Sequence, residues 1–67
     1  MMTERIGVAA GDIWKYLKEH GESSPIKIKA NLGLSNTMLY LSLGWLAREN
    51  KVIIVQADYS YKISLNQ

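Results

Sequence analysis

The chain lacks cysteine and contains a single histidine and a single proline in 67 residues. The lack of cysteine excludes a disulfide framework and a thiolate metal site, and it fits a reducing compartment. A domain of this size is near the lower limit for folding on its own core, so burial against a partner is its remaining source of extra stability.

Long hydrophobic runs are also missing. No apolar stretch approaches the ~20 residues needed to span a bilayer, and the start Met1-Met2-Thr3-Glu4 has no cationic segment followed by a long apolar run. We therefore expect a cytoplasmic protein with no membrane partner.

Charge is not concentrated anywhere in the sequence. Eight basic residues stand against six acidic ones, for a formal net charge of +2, and they are scattered rather than grouped. The chain also contains no repeat, linker or low-complexity segment. We expect one domain that spans residues 1–67, with only a mild preference for anions.

Residues that carry catalytic or metal chemistry are sparse. His20 stands beside Glu19 and Glu22 at the predicted end of a helix. We interpret it as a solvated residue that is stabilised by the negative end of the helix dipole. Asp12 and Asp58 stand alone. The glycines match no phosphate-binding fingerprint, and no serine lies in a nucleophile elbow. We expect no enzyme, no cofactor, no metal and no small-molecule ligand.

Three helices are predicted from apolar spacing and capping residues. Ile6, Ala10, Ile13 and Leu17 share one helical face, in a helix that starts at Thr3 or Glu4 and ends at His20, with Gly21 as a left-handed C-cap.

Ser24 followed by Pro25 predicts the start of a second helix over residues 26–32, which Gly33 ends. Ser35 is the predicted N-cap of a third helix from about Asn36 to Asn50.

After residue 51 the residue pattern becomes typical of β-strands. A β-branched run from Val52 to Val55 precedes a segment in which Tyr61, Ile63 and Leu65 alternate with polar residues. This predicts a two-stranded hairpin, with a short third strand around Ser23 as a further option. Three helices followed by such a hairpin predict an α+β fold, the winged helix-turn-helix, in which the hairpin is the wing.

Two segments carry a family resemblance: Ala10-Gly11-Asp12-Ile13-Trp14, and Gly44-Trp45-Leu46-Ala47-Arg48-Glu49-Asn50-Lys51-Val52. With these segments the chain resembles a small prokaryotic winged helix-turn-helix family known mainly as a domain of unknown function. The resemblance implies the winged-helix fold and a tendency to form homodimers. It supplies no catalytic or DNA-reading residues.

The third helix has two apolar sectors. At ~100° per residue, Leu39, Leu43 and Leu46 form the stripe expected to face the core. A separate sector holds Met38, Leu41 and Trp45, where a DNA-reading helix would carry polar or basic side chains. These three side chains are either covered by the hairpin or the N-terminal segment, or exposed as a protein interface. A ligand pocket is a third option.

Glycines inside helices also indicate close contacts, because each glycine lowers helix stability by roughly 1 kcal/mol relative to alanine and needs a reason to be there. Gly44 suggests that another backbone or a bulky ring approaches closely, although a tolerated surface glycine is the alternative. For Gly11 we expect close packing against the third helix.

The first predicted strand is apolar on both faces. Val52 and Ile54 point to one side, and Ile53 and Val55 point to the other. A strand with one wet face normally alternates apolar and polar residues, so something beyond this domain's own helices is expected to cover the second face. The alternative is that β-branched residues occupy exposed positions through propensity alone.

These observations lead to two functional hypotheses. The first is a non-enzymatic interaction module that forms a homodimer through Met38, Leu41, Trp45, Ile53 and Val55.

The alternative hypothesis is a DNA-binding transcriptional regulator that uses the third helix and the wing. Its candidate residues are Asn36, Thr37, Tyr40, Arg48, Lys51, Tyr59 and Lys62. Lys27 and Lys29 are further candidates for phosphate contacts. Two features count against this alternative. The sequence contains no cationic stripe, and Asp58 at the predicted wing tip would repel a phosphate backbone.

Overall fold

The computed structural model describes the whole sequence, residues 1–67. Its elements follow the predicted order of three helices and a hairpin: α1 (Met2–His20), α2 (Pro25–Leu32), α3 (Asn36–Arg48), β1 (Val52–Gln56) and β2 (Tyr61–Leu65). The predicted α+β winged helix-turn-helix is therefore confirmed. None of the helices combines the length and the apolar character that crossing a bilayer requires.

The two short helices begin at the predicted serines. The Ser24 hydroxyl accepts a hydrogen bond from the Lys27 N–H at 3.2 Å, and the Ser35 hydroxyl accepts one from the Met38 N–H at 3.1 Å. Each hydroxyl satisfies one of the N–H groups that the first turn of a helix leaves unpaired. Pro25 takes the first helical position, where its missing N–H has no consequence.

Glycines end the first two helices, in different conformations. Gly33 is left-handed, with φ 65° and ψ 35°, as its position after α2 predicts. Gly21 has φ 77° but ψ −160°, so the prediction of a left-handed cap is wrong for this residue. Its conformation lies in a region open essentially only to glycine, and its N–H still bonds to the Leu17 carbonyl at 2.8 Å.

Helix α3 ends at Arg48, two residues before the predicted end. Asn50 is left-handed, with φ 60°. Its N–H bonds to the Ala47 carbonyl at 3.0 Å, and the Lys51 N–H bonds to the Leu46 carbonyl at 2.9 Å. This is a Schellman cap with asparagine in the place usually taken by glycine, and it turns the chain into β1.

The hairpin is tied to the helices by one bridge. β1 and β2 pair antiparallel, with Ile54 opposite Ile63. On the other side of β2, the Ser23 N–H bonds to the Ile63 carbonyl at 2.9 Å and the Ile63 N–H bonds to the Ser23 carbonyl at 2.8 Å. The predicted third strand is thus a single bridging residue, and β1 forms the outer edge of the sheet.

The core lies between α1, α3 and the inner face of the hairpin. Its members come from every element: Ala10, Ile13, Leu17, Ile28, Leu39, Leu43, Leu46, Val52 and Ile63. The predicted core stripe of α3 is confirmed, because all three of its leucines are buried. Ser42 is also fully buried on α3, which the apolar pattern does not predict.

Candidate interaction surfaces

Met38 is not part of an exposed surface. Only 8% of the residue is accessible, because the first half of α1 lies beside it and contributes Val8 and Ala9 to the same shallow cleft, together with Leu34. The prediction that Met38 belongs to an exposed interface is wrong. Of the three interpretations of this sector, burial within the chain is the right one for this residue.

Leu41 and Trp45, the other members of that sector, are exposed. Their accessible fractions are 43% and 47%. They lie one turn apart on α3, but they border different depressions: Leu41 lies with Asn36, Thr37 and Tyr40, whereas Trp45 faces α1. The outer face of α3 therefore presents apolar side chains to solvent in an isolated chain.

A groove of about 350 Å³ separates α1 from the C-terminal end of α3. Gly7, Gly11 and Trp14 line it on α1, and Trp45 lines it on α3. The prediction that Gly11 packs closely against α3 is wrong, because no heavy atom of another element lies within 4 Å of the position that its Cβ would occupy. The Lys18 ammonium lies 5.1 Å from the centre of a Trp14 ring, at cation–π distance.

A second groove, of about 310 Å³, lies between α3 and the hairpin. Tyr40, Ile54 and Tyr61 line it and are 56%, 42% and 45% accessible. Gly44 lies in the same groove with nothing within 4 Å of its Cβ position, so the predicted close approach does not occur within the chain. Ile54 and Tyr61 were not selected from the sequence. The sequence signal that could have identified them is their strand face: Tyr61 alternates in phase with Ile63, and Ile54 with Val52.

The outer face of β1 is apolar, as its sequence indicates, whereas the paired residues of β2 on that face are Ser64 and Lys62. Ile53 and Val55 are 45% and 52% accessible, on the opposite side from the buried Val52. No helix covers this face in the isolated chain.

The candidate DNA-contacting residues do not form one surface. Asn36, Thr37 and Tyr40 share a depression at the start of α3. Lys51 lines a different depression, the groove beside α1, together with Glu49.

The remaining candidates are also dispersed. Tyr59 is fully exposed in the turn of the hairpin, and Lys62 is exposed on β2. Arg48 is exposed at the end of α3. The structure therefore places the three candidates at the start of α3 in one depression, and the other four lie outside it.

The structure contains no cluster of histidine, aspartate or glutamate side chains that could hold a metal ion. The ring of His20 lies 4.5 Å from the ring of Tyr16, centre to centre, in a tilted arrangement. The histidine thus stacks on a neighbour from the same helix.

Comparison with known proteins agrees with the fold. Residues 1–65 match the family described as "Winged helix-turn-helix domain (DUF2582)". The chain is also 36% identical over 67 residues to the uncharacterized protein MJ1608 of Methanocaldococcus jannaschii, covering 96% of this chain and 94% of that protein. No solved structure matches the chain. The chain therefore belongs to this family of winged helix-turn-helix domains, whose function is unknown.

Proposed function

We propose that the protein is a non-enzymatic interaction module of the cytoplasm that forms a homodimer through the exposed apolar side chains of α3 and the hairpin. The residues assigned to this interface are Leu41, Trp45, Ile53 and Val55. Met38 is left out because it is buried. One observation carries the proposal: Leu41 and Trp45 are 43% and 47% accessible on α3, the helix that enters the DNA groove in DNA-binding helix-turn-helix proteins.

The composition of this surface supports the proposal. Interfaces between proteins are enriched in aromatic side chains and depleted in charge at their centre. Helix α3 carries no charge before Arg48. A reader of duplex DNA needs hydrogen-bond donors, acceptors and positive charge on that face instead.

Light scattering on a size-exclusion column tests the proposal. We expect a dimer for the native chain, and a monomer for Trp45→Glu or Leu41→Lys, since each variant would place a charge in an apolar contact. Ala30→Glu is the matched control, because it adds a charge to an exposed helical position on α2. A native chain that is monomeric at high micromolar concentration would overturn the proposal.

A second candidate function, duplex DNA binding as a transcriptional regulator, is favoured by one observation. No aspartate or glutamate occurs between Glu22 and Glu49, whereas Lys27, Lys29 and Arg48 do, so the helix-turn-helix segment is purely cationic. Phosphate contacts release counterions, so such binding must weaken steeply as salt rises.

Fluorescence anisotropy with a random-sequence duplex tests this second candidate. Binding at low salt should fall on replacing Lys27 and Lys29 together by alanine, and it should persist in Lys15→Ala, a control on α1. No anisotropy change with any duplex at low salt would exclude it.

A further inference from the structure

The outer edge of β1 carries unpaired main-chain groups. The N–H and C=O of Ile63 both bond to Ser23, so they point away from β1. Ile54 lies opposite Ile63 in the antiparallel register, and its own N–H and C=O therefore point away from β2. By the alternation of the strand, the same holds for Val52 and Gln56. The ladder to β2 uses Ile53 and Val55 instead.

This edge lacks the features that normally prevent strand pairing between chains. The segment Val52–Gln56 contains no charged residue and no proline, and its register with β2 runs without a bulge. Its side chains Ile53, Ile54 and Val55 are 45%, 42% and 52% accessible. The outward main-chain groups of β1 and the side chains of Ile53, Ile54 and Val55 are thus available to a second strand.

We propose that β1 pairs antiparallel with β1 of a second copy, about a two-fold axis at Ile54, so that the two hairpins form one continuous four-stranded sheet. This inference rests on the self-association proposed above and names its central contact. In this register Ile54 faces Ile54, and Val52 faces Gln56. Every outward N–H of each copy then meets a carbonyl of the other, and Ile53 lies beside Val55 as a β-branched cross-strand pair.

Charge complementarity identifies the occupant of the edge as a second copy in antiparallel orientation. Lys51 directly precedes β1, and Asp58 lies in the turn beyond its other end; both are exposed. The proposed register places Lys51 opposite Ala57 of the second copy and next to its Asp58. The two-fold axis repeats this contact at the other end. A parallel pairing would instead place like charges together.

The groove between α3 and the hairpin adds contact area at the same place. A five-residue edge alone buries less than the ~800 Å² per partner of a standard interface. Ile54 also lines that groove, next to the half-exposed rings of Tyr40 and Tyr61 and the open position at Gly44. A strand paired along β1 brings the second copy to the border of this groove.

A single backbone methyl group tests the pairing. Chemical synthesis of the chain with N-methyl-Ile54 removes an outward N–H and leaves the ladder to β2 intact. We expect the dimer dissociation constant, measured by sedimentation equilibrium, to rise at least ten-fold, since each dimer loses two main-chain hydrogen bonds. N-methyl-Tyr59 is the matched control, because Tyr59 is fully exposed in the turn, and its dissociation constant should equal that of the native chain.

Two measurements keep the test decisive if the methylated chain folds poorly. In the native chain, the Ile54 amide should exchange more slowly with deuterated solvent as the protein concentration rises. Lys51→Asp should weaken the dimer, and Lys51→Asp combined with Asp58→Lys should restore it. A dimer in which the Ile54 amide exchanges freely at every concentration overturns the edge pairing and leaves the proposed function standing. A chain that stays monomeric overturns both.

Discussion

Ser42 is the one buried side chain whose polar atom has no hydrogen-bond partner. The residue is fully inaccessible on α3, and its hydroxyl contacts neither the helix backbone nor another side chain at hydrogen-bond distance. A buried donor or acceptor without a partner costs about 1–3 kcal/mol. Ser42 therefore fits the core because its side chain is small, and its hydroxyl adds no hydrogen bond.

Replacing Ser42 by alanine should therefore stabilise the fold. We expect Ser42→Ala to raise the free energy of unfolding by about 1 kcal/mol, because the hydroxyl is lost while the volume is nearly kept. Urea titration followed by circular dichroism at fixed protein concentration measures the change. Thr37→Ala, at an exposed position of α3, is the control and should differ from the native chain by less than about 0.5 kcal/mol. A destabilised Ser42→Ala would show that the hydroxyl has a partner.

The glycines divide into two classes that should respond oppositely to alanine. Gly7 and Gly11 lie within α1 with nothing near their Cβ positions, so each alanine should add about 0.5–1 kcal/mol of stability. Gly33 has φ 65°, where a Cβ costs about 1–2 kcal/mol, so Gly33→Ala should destabilise the protein. Thermal unfolding of the three single variants distinguishes the classes. Equal effects at all three positions would contradict this assignment.

At the scale of elements, the start of α3 depends on a single hydroxyl. Ser35→Ala should lower the free energy of unfolding by about 1 kcal/mol, because the Met38 N–H then loses its partner. Ser35→Asn should retain most of the stability, since its side-chain oxygen reaches the same N–H. Urea titration of both variants measures this. An asparagine variant as unstable as the alanine variant would argue against capping as the cause.

The element boundaries were predictable because their signals are local. Ser24-Pro25, Gly33 and Ser35 act through the backbone of neighbouring residues, and both ends of α2 and the start of α3 lie close to where these residues predict. The end of α3 was less predictable, because Asn50 adopts a left-handed cap that glycine usually provides.

The surface was only partly predictable, for a tertiary reason. Leu41 and Met38 lie on one sector of the same helix, and only the placement of α1 decides that Met38 is covered. The α3–hairpin groove likewise depends on how the hairpin packs on α3, which no spacing along the chain encodes. Local patterns therefore predicted the elements, while the exposed surface required their arrangement.

At the scale of the whole molecule, self-association makes thermal stability depend on concentration. If the native state is a dimer, mass action stabilises it as concentration rises, and for a domain this small we expect the midpoint of thermal unfolding to increase by a few degrees per ten-fold concentration. Differential scanning calorimetry at several concentrations measures the shift. Trp45→Glu is the control and should unfold at one temperature throughout. A native midpoint that does not move would contradict the dimer.

The bridge between Ser23 and Ile63 has a consequence for biosynthesis. Ile63 is 1% accessible and belongs to the core, although it lies on the last strand. Its hydrogen-bonding partner, Ser23, comes before α2, α3 and β1 in the chain. In a nascent chain, the apolar faces of α1 and α3 therefore stay partly exposed until β2 has been translated. Complete burial of the core therefore has to wait for synthesis of the last strand.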